Sequence, residues 1–145
     1  MPTVSRTFTV NATPDKVVEY LSDFSHATEW DPGTEKCVRV DDGPVKVGSS
    51  WHNESKIAGV STELTYTLKT LTADTIVLVG ENKTATSTET MEVKPVGVGT
   101  ELTYTNEIEL HGAAKIGAPA MKLVFEKVGV DTEKQLTEVL NGLPA

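Results

Sequence analysis

Between Thr34 and Leu110 the chain never leaves itself room to cross over a sheet. Six segments carry strand patterns, near 35–42, 49–58, 61–71, 74–81, 84–94 and 99–110. Turn-forming residues separate them: Asp42-Gly43-Pro44 with Gly48, Ala58-Gly59, Thr72-Ala73-Asp74, Glu81-Asn82-Lys83, and Pro95 to Gly99. Parallel neighbours need a crossover of a dozen or more residues, whereas antiparallel neighbours need only a tight turn. The spacing therefore predicts consecutive antiparallel hairpins. Frequent Thr and other β-branched residues suit such pleated surfaces.

The flanks complete the order. Val4, Phe8 and Val10 alternate with Thr and Ser and share a face with Arg6, which predicts a half-buried strand over 3–10. Next, Thr13 offers an N-cap, Pro14 suits the first helical position and Asp15 the positive helix start. Val17, Tyr20, Leu21 and Phe24 then fall on one helical face. A second short helical piece ends near Trp30, before the turn Asp31-Pro32-Gly33. After Gly112 the apolar period becomes helical through Met121, Val124, Phe125, Val128, Thr132, Leu136, Val139, Leu140 and Leu143, with Pro119 as start and Gly142 as stop. An apolar stripe that long must bury against the only large surface available, the sheet. The expectation is one α+β domain over residues 1–145: seven antiparallel strands, curved around a long C-terminal helix, with two short helices between strands 1 and 2.

Composition removes several functions. The 145 residues carry thirteen basic and twenty-one acidic side chains, a net charge of −8, with no basic cluster. Such a field repels nucleic acid and anionic lipid surfaces, so neither is an expected partner. One cysteine, Cys37, excludes an intramolecular disulfide. His26, His52 and His111 show no metal-ligand spacing, so no metal and no cofactor are expected. No stretch reads as a signal peptide or a membrane span, which predicts a cytoplasmic protein, monomeric or homodimeric. The N-x-S/T triplets at Asn11, Asn53 and Asn82 are then incidental.

Gly97-Val98-Gly99 raises the question of a phosphate cradle. A dinucleotide fingerprint needs a helix after its glycines. Here a strand follows, in which Leu102, Tyr104, Asn106, Ile108 and Leu110 alternate with Glu101, Thr103, Thr105, Glu107 and Glu109. The glycines therefore read as a hairpin turn, and the strand's first set faces inward.

The segments TPDKVVEYLSDFSHATEWDP, VKVGSSW and VKPVGVGTELTYTNEIELHG, in this order, resemble the START-like helix-grip (SRPBCC) superfamily, and within it the bacterial polyketide cyclase/dehydrase and lipid transport group. The resemblance covers essentially the whole chain. It implies a deep cavity between the sheet and the C-terminal helix, in which members hold apolar molecules such as lipids or polyketides. Some members are cyclases, others are carriers, and others act on proteins.

On that footing the expected cavity wall is Trp51, Leu64, Tyr66, Met91, Leu102, Tyr104, Ile108, Met121, Val124, Phe125 and Val128. Asn53, Asn106 and Glu89 are the candidate polar contacts. Tyr66 and Tyr104 either orient a ligand's polar end or fill the core. Inward Asn106 needs a partner, be it neighbour, water or ligand. Arg6, Arg39 and Glu89 are the ionisable groups that could face inward. Glu89 shares a face with Met91 and Val93, opposite Thr88, Thr90 and Glu92, and the pattern does not say which face is inside. If Glu89 is inside, desolvation raises its pKa and makes it the one acid/base candidate. His26 and Glu29 lie either at a pocket mouth or on the surface. Gly129 either makes room for a ligand, or a bend, or allows close packing on the sheet. The leading expectation is binding or transport of an apolar small molecule. The alternatives are a cyclase/dehydrase-type enzyme using the same cavity and a partner-binding domain without a ligand.

Overall fold

The computed structural model describes residues 3–57, 59–112 and 118–144, and only the backbone of Ile57, residues 118–123 and Phe125. Seven strands form one sheet: β1 (Thr3–Val10), β2 (Thr34–Arg39), β3 (Ser50–Ile57), β4 (Val60–Leu71), β5 (Thr75–Glu81), β6 (Ala85–Val96) and β7 (Gly99–Leu110). Helices α1 (Pro14–Ser22) and α2 (Ala27–Trp30), linked by a 3₁₀ turn at Phe24–His26, lie between β1 and β2, and α3 (Ala118–Asn141) closes the chain.

All neighbouring strands are antiparallel, in the order β1-β7-β6-β5-β4-β3-β2. β2 to β7 form the expected run of hairpins. β1 instead crosses from the chain's start to pair with β7, Val4 opposite Asn106 and Val10 opposite Thr100. Irregularities at Thr34/Lys36 and Leu68/Thr70 interrupt the ladders, and bulges of this kind bend a strand and increase its twist.

Period-2 alternation becomes real burial. In β7, Leu102, Tyr104 and Asn106 are buried while Glu107 and Glu109 are exposed. In β6, Ser87, Glu89, Met91 and Val93 are buried, which settles the face left open by the sequence. α3 lays Thr132, Leu136 and Leu140 into the core and packs against β1 and α2. At 24 residues it is about 36 Å long. α1 inserts Val17 and Leu21 and packs over β5, β6 and β7.

Thr13 occupies the N-cap position of α1 without capping it, because its hydroxyl donates to the Asp15 carboxylate at 2.5 Å. Gly129 is buried, and a Cβ there would overlap Val4 Cγ2. Close packing of α3 on β1 therefore explains this glycine, rather than space for a ligand or a bend.

Candidate functional site

Between the sheet and the helices the largest buried side chains are aromatic. The Phe24 ring lies 4.6 Å from Tyr66, 6.0 Å from Trp30 and 6.2 Å from Trp51, and Trp30 meets Tyr104 edge-on at 5.9 Å. Trp30 comes from the end of α2, where the helical face of α1 and the 3₁₀ turn has already brought Phe24 inward. Trp51, Tyr66 and Tyr104 come from alternate positions of β3, β4 and β7. Tyr66 fits because β5 offers Gly80 opposite it, where a Cβ would come within 2.6 Å of the ring.

A polar cluster sits inside this shell. The Tyr104 hydroxyl donates to Glu89 Oε1 at 2.5 Å, and Tyr66 donates to Ser87 Oγ at 3.1 Å. Asn106 donates to Ser87 Oγ at 2.9 Å and to the Thr88 carbonyl at 3.2 Å. Asn53 donates to Thr34 Oγ1 at 3.1 Å and accepts from Ser55 at 2.5 Å. The amides of Asn53 and Asn106 thus spend their donors on the protein. Among the described residues, two buried polar side-chain atoms have no partner: Trp30 Nε1 and Glu89 Oε2.

Glu89 is 3 % exposed. Burial, reinforced by the nearby Asp31 carboxyl and opposed by the Tyr104 hydrogen bond, pushes its carboxyl up to about 8. At neutral pH it is mostly the uncharged acid. Asp31 is also raised by burial, against hydrogen bonds from Thr34 Oγ1 at 2.9 Å and the Gly33 amide at 3.1 Å. Those hydrogen bonds are the ones that hold the turn its sequence context signals. Burial pushes the Cys37 thiol up to about 12, so it packs and does not attack.

The other ionisable candidates point elsewhere. Arg6 bridges to Glu133 of α3 at 2.8 Å. Arg39 pairs with Asp41 at 2.9 Å while its guanidinium covers the Trp51 ring. His26 stacks on Tyr20, whose hydroxyl donates to Glu29; this trio belongs to the α1 surface. Leu64, Met91 and Leu102 are buried and Ile108 is half-buried, all on the inward face. Val124 and Val128 are half-buried on α3, while the side chains of Met121 and Phe125 lie outside the described residues. Sequence reasoning missed the fully buried Trp30 as an interior polar group and the half-buried Asp31 as a charge acting on Glu89. The only signal was their adjacency to a strong turn, which said nothing of what packs over them.

On the outer sheet face His52 Nε2 lies 2.9 Å from Glu63 and 4.0 Å from Glu54, which is itself 4.0 Å from Lys36. Cross-strand ion pairing accounts for this exposed group. A nearby hollow of about 560 Å³, lined by Glu35, Glu54, Glu63, Asn82 and Lys83 among others, contains none of the expected wall residues. No described helix is long and apolar enough to cross a membrane.

A family model described as polyketide cyclase / dehydrase and lipid transport matches residues 1–139. Solved structures share the fold at low identity. A START superfamily protein from Mycobacterium smegmatis is 18% identical with TM-score 0.81, over 98% of this chain and 99% of that one. The Zhui aromatase/cyclase from Streptomyces sp. R1128 is also 18% identical, with TM-score 0.75 over 97% and 91%. A ginseng major latex-like protein from Panax ginseng is 12% identical, with TM-score 0.70 over 98% and 97%. No curated protein sequence matches the chain.

Proposed function

The chain belongs to the polyketide cyclase/dehydrase and lipid transport family, and from that premise we propose that it binds an apolar small molecule between the sheet and α3. The observation that carries this reading is the pair of unpartnered polar atoms, Trp30 Nε1 and Glu89 Oε2, inside an aromatic and aliphatic shell. Ligand sites are mostly apolar with a few placed polar groups, and a folded protein rarely leaves such groups unpaired. In this reading Trp51, Leu64, Tyr66, Met91, Leu102, Tyr104 and Ile108 supply the sheet side of the wall. Val124 and Val128 supply the helix side. Asn53 and Asn106 hold the strands' polar interior in place through their protein partners.

A cyclase-type activity is the second reading, favoured by one observation. A carboxyl at about 8 beside a tyrosine hydroxyl can exchange a proton near neutral pH. Native mass spectrometry of freshly purified protein tests the binding reading. A retained apolar adduct is the expected result. A clean apo mass together with no uptake of a neutral apolar dye would sink it. A Glu89→Gln variant that keeps the adduct but loses turnover of a polyketone would favour the enzyme.

A further inference from the structure

Trp30 Nε1 and Glu89 Oε2 constrain the chemistry of whatever meets them. Both side chains border Tyr104: the Trp30 ring lies 5.9 Å from the Tyr104 ring, and the Tyr104 hydroxyl binds the other oxygen of Glu89. Trp30 is fully buried and Glu89 is 3 % exposed. The indole N–H is only ever a donor. The Glu89 carboxyl has one oxygen engaged as an acceptor, so its second oxygen is free either to accept, if ionised, or to donate, if protonated.

Burial and the Asp31 carboxyl oppose ionisation of Glu89, and the Tyr104 hydrogen bond only partly offsets them. Asp31 following α2 and Tyr104 of β7 are the titratable groups that act on Glu89 among the described residues, Cys37 of β2 and Tyr66 of β4 are raised by it in turn, and none of the four is a cation. Arg6 and Arg39 are committed to Glu133 and Asp41. A buried carboxylate without a cation or a full set of donors is strongly disfavoured. Burial and the Asp31 charge accordingly hold the group at about 8. The acid form makes Oε2–H a donor, so among the described residues the interior presents two donors and no free cation beside one aromatic ring.

Resting on the binding reading above, we propose that Trp30 Nε1–H and the Glu89 carboxyl receive the neutral carbonyl oxygen of an apolar ligand and that the site discriminates against carboxylates. A ketone, ester or lactone oxygen has two lone pairs and accepts from both donors. A fatty carboxylate brings a buried negative charge close to Asp31 and meets no cation among the described residues.

The test uses N-phenyl-1-naphthylamine, a neutral apolar dye, displaced by 2-undecanone or by decanoate, compounds of similar chain length. At pH 6.5 the ketone is expected to displace the dye at a concentration at least about tenfold lower than decanoate, the equivalent of one net hydrogen bond. Between pH 7 and 9 ketone affinity falls as Glu89 ionises. Glu89→Gln, whose amide still accepts from Tyr104 and still donates, abolishes that fall. Trp30→Phe keeps a ring but removes the N–H, and weakens the ketone about fivefold with little effect on undecane. Equal displacement by ketone and carboxylate, or the same pH profile in wild type and Glu89→Gln, overturns the proposal and leaves the binding reading standing. Failure of wild type to take up the dye at all overturns both. The comparison of probes on wild type needs no variant to fold.

Discussion

Gly129 and Val4 show how much one hydrogen atom decides at the contact of α3 with β1. In an exposed helix, Gly→Ala gains roughly 1 kcal/mol in propensity. Here the added methyl meets Val4 Cγ2 in a buried contact, and overpacking costs about 1–3 kcal/mol. Gly129→Ala is therefore expected to destabilise the fold by about 1 kcal/mol net, read from urea unfolding. Val4→Ala opens the space, so the double variant should be more stable than the sum of the single changes predicts. Simple additivity would show that the contact does not set the cost. The same scale explains the polar interior. Tyr66 and Tyr104 lie inside because strand alternation puts them there, and their hydroxyls are spent on Ser87 and Glu89.

At the scale of elements, the β6–β7 hairpin separates two reasons for glycine. Val96 pairs with Gly99, so Gly97 and Val98 form a two-residue turn, and Gly97 adopts φ 58°. Such turns use positive φ because their twist matches that of the strands. Gly99 faces a different constraint: a Cβ there would collide with the Val10 carbonyl oxygen of β1. Gly97→Asn should cost well under 1 kcal/mol, since Asn tolerates left-handed backbone. Gly99→Ala should cost several times more, because backbone must move and β1 must part from β7. Chemical denaturation compares them. A Gly99 variant as stable as wild type would refute the close approach. The glycine pair was legible as a turn from sequence, because a strand and not a helix follows. The role of Gly99 was not, because its obstacle lies some ninety residues earlier in the chain.

At the scale of the whole molecule, the buried acid makes stability depend on pH in an unusual direction. Glu89 rises from an ordinary 4.5 to about 8 on folding. Between these values the folded state holds a proton that the unfolded chain has released, so stability falls as pH rises through that window. The slope is at most about 1.4 kcal/mol per pH unit. Asp31, also raised, acts in the same sense. Asp41, held at about 2 by its Arg39 hydrogen bond, acts oppositely and only below its unfolded value of 3.8. The urea midpoint should therefore be highest near pH 5 and decline toward pH 8, and Glu89→Gln should flatten the decline. Parallel slopes in the two proteins would show that Glu89 is not the group responsible.

The amino-acid order by itself determined the strand run, the antiparallel connections, the long helix and the inward set on β7. These follow from local periods and turn lengths, each readable within a few residues. It also nominated Glu89, but not its face, since both faces of β6 carry apolar or β-branched residues. Only tertiary structure decided that Glu89 lies inside, that Asn53 and Asn106 are satisfied by neighbours, that Arg6 reaches α3, and that Trp30 joins the interior with Asp31 half-buried beside it. Each of these depends on which distant segment packs opposite and on how much water that packing removes, and no local pattern encodes either.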